Sequence, residues 1–139
     1  MTKLVIFDLD GVLIDSKDYH YEALNQALGD KYAITREEHV NTYDGLPTTA
    51  KLKLLTKNKG LPTDRYDEIW ADKQTNTLKI FGECVAKDYE LMGYFQQLVN
   101  AGYKIAVASN SIRNTVKIIL LRLGLLEFVD VYISNEDVV

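Results

Sequence analysis

Cysteine is nearly absent from this chain of 139 residues: Cys84 stands alone, so no intramolecular disulfide can form and no thiolate zinc cluster can assemble within one chain. Two prolines and eight glycines are too few for a collagen-like or linker-dominated polypeptide. No apolar run approaches the roughly 20 residues of a membrane helix, and the N-terminus has neither a basic region nor a signal-type apolar stretch. Positive charge is not in excess either. Sixteen Lys and Arg against 20 Asp and Glu leave a net charge of −4, so no net basic field holds nucleic acid by its phosphates. Together these absences point to a reducing, cytoplasmic setting, with neither a membrane nor a nucleic acid as partner.

What is present is the composition of a globular chain, with 47% hydrophobic and 26% charged residues. Lys3-Leu-Val-Ile-Phe-Asp-Leu-Asp10 is rich in β-branched and aromatic residues and stops at acids and Gly11. With both of its faces apolar, it reads as a buried parallel strand. Tyr103–Ser109 and Val129–Ser134 are runs of the same style, each ending in small or polar residues. Between them, Asp88 can cap a helix with Leu91, Tyr94, Phe95, Leu98 and Val99 on one face before Gly102. Ser111 can cap another, bearing Val116, Ile119, Leu120 and Leu123 before Gly124. The expectation is a right-handed βαβ pattern that joins the first strand in one sheet.

About 90 residues separate the first two strands, too many for a single crossover helix. They read as an inserted helical unit: Ser16 to Leu28, a capping box at Thr35-Arg-Glu-Glu38, Pro47 to Leu55, and Thr63-Asp64 leading into Ile69–Ile80. The predicted class is therefore α/β, a Rossmann-like parallel core of about three strands, residues 1–15 and 86–139, with an α-helical insert over 16–85. Trp70, the tyrosines and Cys84 read as packed side chains, and Lys51, Lys53, Lys57 and Lys59 mainly as a solvated helix face.

The chemistry gathers at the end of the first strand. Asp8 and Asp10, two residues apart, start on one face of the sheet, and two carboxylates held close call for a compensating cation; a hard ion such as Mg²⁺ suits oxygen ligands. Phe7-Asp8-Leu9-Asp10-Gly11-Val12-Leu13-Ile14-Asp15-Ser16 resembles the signature of the haloacid dehalogenase superfamily of phosphotransferases, and Ala108-Ser109-Asn110-Ser111 resembles its second motif. The resemblance implies Asp8 as nucleophile forming an aspartyl-phosphate, Asp10 as general acid and base, and Mg²⁺ at Asp8 and Asp10. It further implies that Ser109 and the Asn110 amide hold phosphate, with Gly11 allowing the chain to turn beside it.

The insert is similar to the helical cap of the branch with phosphoglycolate phosphatase and β-phosphoglucomutase. Tyr19-His20-Tyr21-Glu22 looks like its first helix, which makes His20 a candidate substrate contact, and Gly45-Leu46-Pro47 resembles a loop that reaches the active site. Leu46, Pro47, Thr48 and Thr49 stand where mutases favour an arginine, so a phosphatase of a small phosphorylated metabolite is expected over a sugar-phosphate mutase. Lys73 is placed on the last long helix of the insert. The family's third-motif lysine and fourth-motif acids have no counterpart before Val139. Glu136 and Asp137 are the minor alternative as metal ligands. The expectations that follow are weaker catalysis, less cover for apolar residues such as Ile118 and Leu121, and a homodimer covering the incomplete sheet edge. The alternative function is a truncated, catalytically weak or inactive form that binds metal or phosphate or acts by association.

Overall fold

The computed structural model describes residues 2–138. It divides into two compact units, Met1–Ser16 with Ile80–Val139, and Lys17–Lys79.

In the first unit, β1 (Lys3–Asp8), β2 (Tyr103–Ala108) and β3 (Val131–Ile133) form one parallel sheet in the order β1-β2-β3. Two helices complete it, α5 (Tyr89–Asn100) and α6 (Arg113–Leu123). Asp88 caps α5 as the spacing predicts, its carboxylate accepting from the Leu91 amide at 3.1 Å. Ser111 does not cap α6. The N-cap is Ile112, one residue later, without a side-chain hydrogen bond, and the Ser111 amide donates to Ser109 Oγ.

The register puts Val5, Ile105, Phe7, Val107 and Tyr132 on one sheet face, and Leu4, Ile6, Ala106, Val131 and Ile133 on the other. Strands laid down in one direction by right-handed crossovers put both helices on the same face. The Phe7 ring stacks on Phe95 of α5 with centroids 4.9 Å apart, and Ile105 and Val107 are fully buried. The opposite face is bare: Leu4 is 55% exposed and Ile6 63%, and Val131 and Ile133 are exposed beside them. The reading of β1 as buried on both faces is thus corrected. Apolar residues on both sides of a strand require two covering layers, and here one layer is supplied. On α6, Leu121 is exposed and Ile118 half-buried.

The second unit contains α1 (Lys17–Leu28), a short α2 (Arg36–Glu38), α3 (Thr48–Lys59) and most of α4 (Tyr66–Cys84). Its core gathers Leu24, Leu28, Ile34, Tyr43, Leu52 and Ile69 with their neighbours. The Thr35–Glu38 capping box forms in both directions. A π-helical turn, His39–Tyr43, follows it, which the insert's plain helical pattern did not foretell.

The lysine run also differs from its expectation. Lys51 is buried, its ammonium pushed below the ordinary lysine range by desolvation, with Asp44 partly offsetting this. Lys59 donates to the Ala33 carbonyl at 2.6 Å and to Glu38, whose pKa is lowered by the Thr35 amide and by Lys59. Only Lys53 and Lys57 form the solvated face. Cys84, Trp70, Tyr89 and Tyr94 are exposed rather than packed, and Lys73 is buried.

Candidate active site

The β1 ladder ends at Asp8, two residues before the limit read from the sequence, and the chain bends at fully buried Leu9. Gly11, at φ +79°, then closes a tight loop: its amide donates to the Ile14 carbonyl at 2.7 Å, and the amides of Leu13 and Ile14 return to the Leu9 carbonyl. An L side chain rarely adopts that φ, so glycine is what permits the turn. Asp10 therefore owes its position to this loop rather than to strand pleating.

Two hydroxyls hold the Asp10 carboxylate. Buried Ser16 Oγ donates to Oδ1, and Ser109 Oγ donates to Oδ2 at 3.4 Å. Asp8 stands differently. It is exposed, and its Oδ1 accepts from the Leu9 amide at 2.8 Å; among the described residues nothing is seen to donate to Oδ2. One carboxylate is thus oriented by donors, and the other keeps an oxygen free for an incoming group. The sequence reading named Asp10 and Ser109 but passed over Ser16 as a partner, although Ser16 closes the ten-residue motif.

Ser109 sits just past β2, its amide bonded to the Ile133 carbonyl at 2.9 Å. Its hydroxyl also accepts from the Ser111 amide at 3.1 Å, and the Ser111 carbonyl accepts from Asn135 N at 3.0 Å. Asn110, at the crest of this loop, is exposed, and among the described residues its amide has no recorded acceptor. Ser109, Asn110 and Asp10 thus share one rim, while His20 is a half-buried residue of α1 in the other unit.

Glu136 and Asp137 are engaged elsewhere than at Asp8 and Asp10. Glu136 accepts from the Arg113 amide at 3.1 Å and pairs with its guanidinium, which also donates to Asp137. The Ser134 amide and Arg113 hold the Asp137 carboxyl below its ordinary range. Metal ligation by this pair is therefore set aside, since both carboxylates already have a cation. Among the described residues no three His, Cys, Asp or Glu side chains cluster as a metal site. Asp8 and Asp10 are nevertheless hard oxygen donors of the kind Mg²⁺ uses, because it commonly takes one or two carboxylates and completes its shell with water and substrate phosphate. The residues present fit that ion.

The model of the haloacid dehalogenase-like hydrolases matches residues 5–139. The chain belongs to this family. Pyrophosphatase PpaX of Bacillus cereus (strain Q1) is 27% identical over 146 residues, a match spanning 96% of this chain and 60% of that protein. Among solved structures, CbbY from Rhodobacter sphaeroides in complex with xylulose-1,5-bisphosphate superposes with a TM-score of 0.80 at 20% identity, covering 99% of this chain and 65% of CbbY. The β-phosphoglucomutase of Clostridium difficile gives 0.75 at 20% identity, with 99% and 64% covered. With these solved structures the likeness is one of fold. This chain spans about 60 to 65% of the length of the relatives it matches.

Proposed function

We propose that this chain is a phosphatase-type hydrolase of a small phosphorylated metabolite, working through an aspartyl-phosphate. The observation that carries this reading is the contrast between the two carboxylates: Asp10 oriented by Ser16 and Ser109, Asp8 exposed with no donor to Oδ2 among the described residues. In the first step an Asp8 oxygen bonds to phosphorus as the ester P–O bond breaks, and Asp10 gives its proton to the departing oxygen. In the second, Asp10 takes a proton from water as that water attacks phosphorus. The bond to Asp8 then breaks and inorganic phosphate leaves. Ser109 and the Asn110 amide hold phosphoryl oxygens at the start of α6, where amides and helix dipole favour an anion. Asp8 and Asp10 are the residues that would hold Mg²⁺, which when bound would offset repulsion between carboxylate and phosphoryl oxygens. The helical unit is assigned to substrate selection, and the setting is read as cytoplasmic.

Phosphate release from p-nitrophenyl phosphate and a panel of sugar phosphates, measured with Mg²⁺, tests the reading. The wild-type chain is expected to turn over and Asp8→Asn to be silent; equal background in both sinks it.

A second reading, a half-site that binds phosphate and acts by association of two copies, is favoured by the bare sheet face. Sedimentation showing a monomer at high micromolar concentration removes this reading.

A further inference from the structure

We propose that Arg113 is a positioning residue for the anion loop Ser109–Ser111, acting through the turn that follows β3. This rests on the reading of Ser109 and Asn110 as the phosphoryl-holding groups.

The loop has little support of its own, because α6 lacks a side-chain N-cap and its N-cap residue is apolar Ile112. Its support comes from the other side. The Ile133 carbonyl accepts from Ser109 N and the Ser111 carbonyl accepts from Asn135 N, so residues 133–135 run along the loop and fix both its ends. Those residues are themselves short of structure, since β3 has three residues and Asn135–Asp137 make a single 3-10 turn closed by Ser134 and Asp137. What joins this turn to α6 is Arg113, the residue two positions past the loop. Its amide donates to Glu136 Oε2, its guanidinium pairs with Glu136 at 3.7 Å, and a further guanidinium N–H donates to Asp137.

The result is a closed circuit from loop to turn to helix and back to the loop. Removing the Arg113 side chain opens the circuit at its ionic joint among the described residues, leaving Glu136 tied to α6 only through the backbone amide of position 113 and Asp137 without its guanidinium. Fork-shaped guanidinium geometry lets one side chain hold both acids, which an ammonium does less well. Phosphate recognition by a loop amide depends on its placement, and a shift on the ångström scale is enough to lose much of it.

The test is calorimetric titration of the full chain with inorganic phosphate in Mg²⁺, alongside hydrogen exchange of residues 109–111 and 134–137. Arg113→Ala is expected to weaken phosphate about tenfold and to raise exchange in both segments together. Arg113→Lys, which keeps charge and helix propensity, is expected to fall between, and Arg113→Glu with Asp137→Arg to recover part of the loss. Ser109→Ala is the control on the site itself. If Ser109→Ala weakens phosphate while Arg113→Ala and Arg113→Lys stay within twofold of the parent, the positioning role is overturned and the site reading stands. If Ser109→Ala also leaves phosphate binding unchanged, the site reading falls, and the proposal with it.

Discussion

The hydroxyl of Ser16, buried at the end of the first motif, donates to Oδ1 of Asp10 across the Gly11 loop. The bond spans six residues and closes the segment that carries the proposed acid and base. A carboxylate that must give and take a proton along one direction gains from a fixed rotamer, and Ser16 supplies the donor that fixes it. Ser16→Ala is expected to lower kcat for p-nitrophenyl phosphate about tenfold with KM little changed, whereas Ser16→Thr keeps the hydroxyl and most of the rate. A loss expressed in KM alone contradicts the assignment.

Lys51 is a buried ammonium whose main neighbour of opposite charge is Asp44. Burial lowers its pKa in the folded chain, so between the lowered and ordinary values the unfolded chain binds more protons, and stability rises with pH across that window. Lys51→Met is expected to be stabilising at pH 7 by about 1 kcal/mol, or about 4 °C in Tm. The advantage shrinks as pH climbs toward the ordinary lysine value. Thermal melts of both chains at pH 7 and pH 10 check the size and the sign.

Charge placed on the bare sheet face should be tolerated. Leu4→Lys with Ile6→Lys is expected to move unfolding free energy by no more than about 0.5 kcal/mol for each change, the range of exposed substitutions. Val107→Lys, on the opposite face of the neighbouring strand and fully buried, is expected to abolish folding. Urea titrations compare the two directly, and sedimentation of the chain carrying both Leu4→Lys and Ile6→Lys reports whether that face joins two copies.

Gly124 ends α6 at φ +81°, and a Cβ there would meet Met92 Sδ at 2.7 Å. Gly124→Ala is expected to cost about 1–2 kcal/mol, from left-handed strain plus displacement of the thioether. Because Met92 is flexible, Met92→Ala in the same chain should return the steric part and leave the conformational part. Chemical denaturation of the single and double variants separates them.

Much of the fold was legible because local physics states it plainly. Asp88 and the Thr35–Glu38 pair cap helices where their spacing says they should, and the three apolar runs pair as parallel strands in one sheet. The two motifs together pointed to Asp8, Asp10 and Ser109 as residues of one chemistry. Ser111 misled because a serine just ahead of a helix reads as its cap, while the helix starts one residue later, after Ile112. Lys51 misled because charge says nothing of which helix face is covered.

By itself, then, the sequence determined the order of strands and helices, the family motif and the pair of acids at the end of β1, since periodicity, capping and turn residues act between near neighbours. Only the tertiary structure decided which apolar face of β1 is covered, that Ser16 reaches Asp10, and that Arg113 holds Glu136 and Asp137. Those relations join groups whose meeting depends on how the chain returns upon itself, and distance along the chain does not record it.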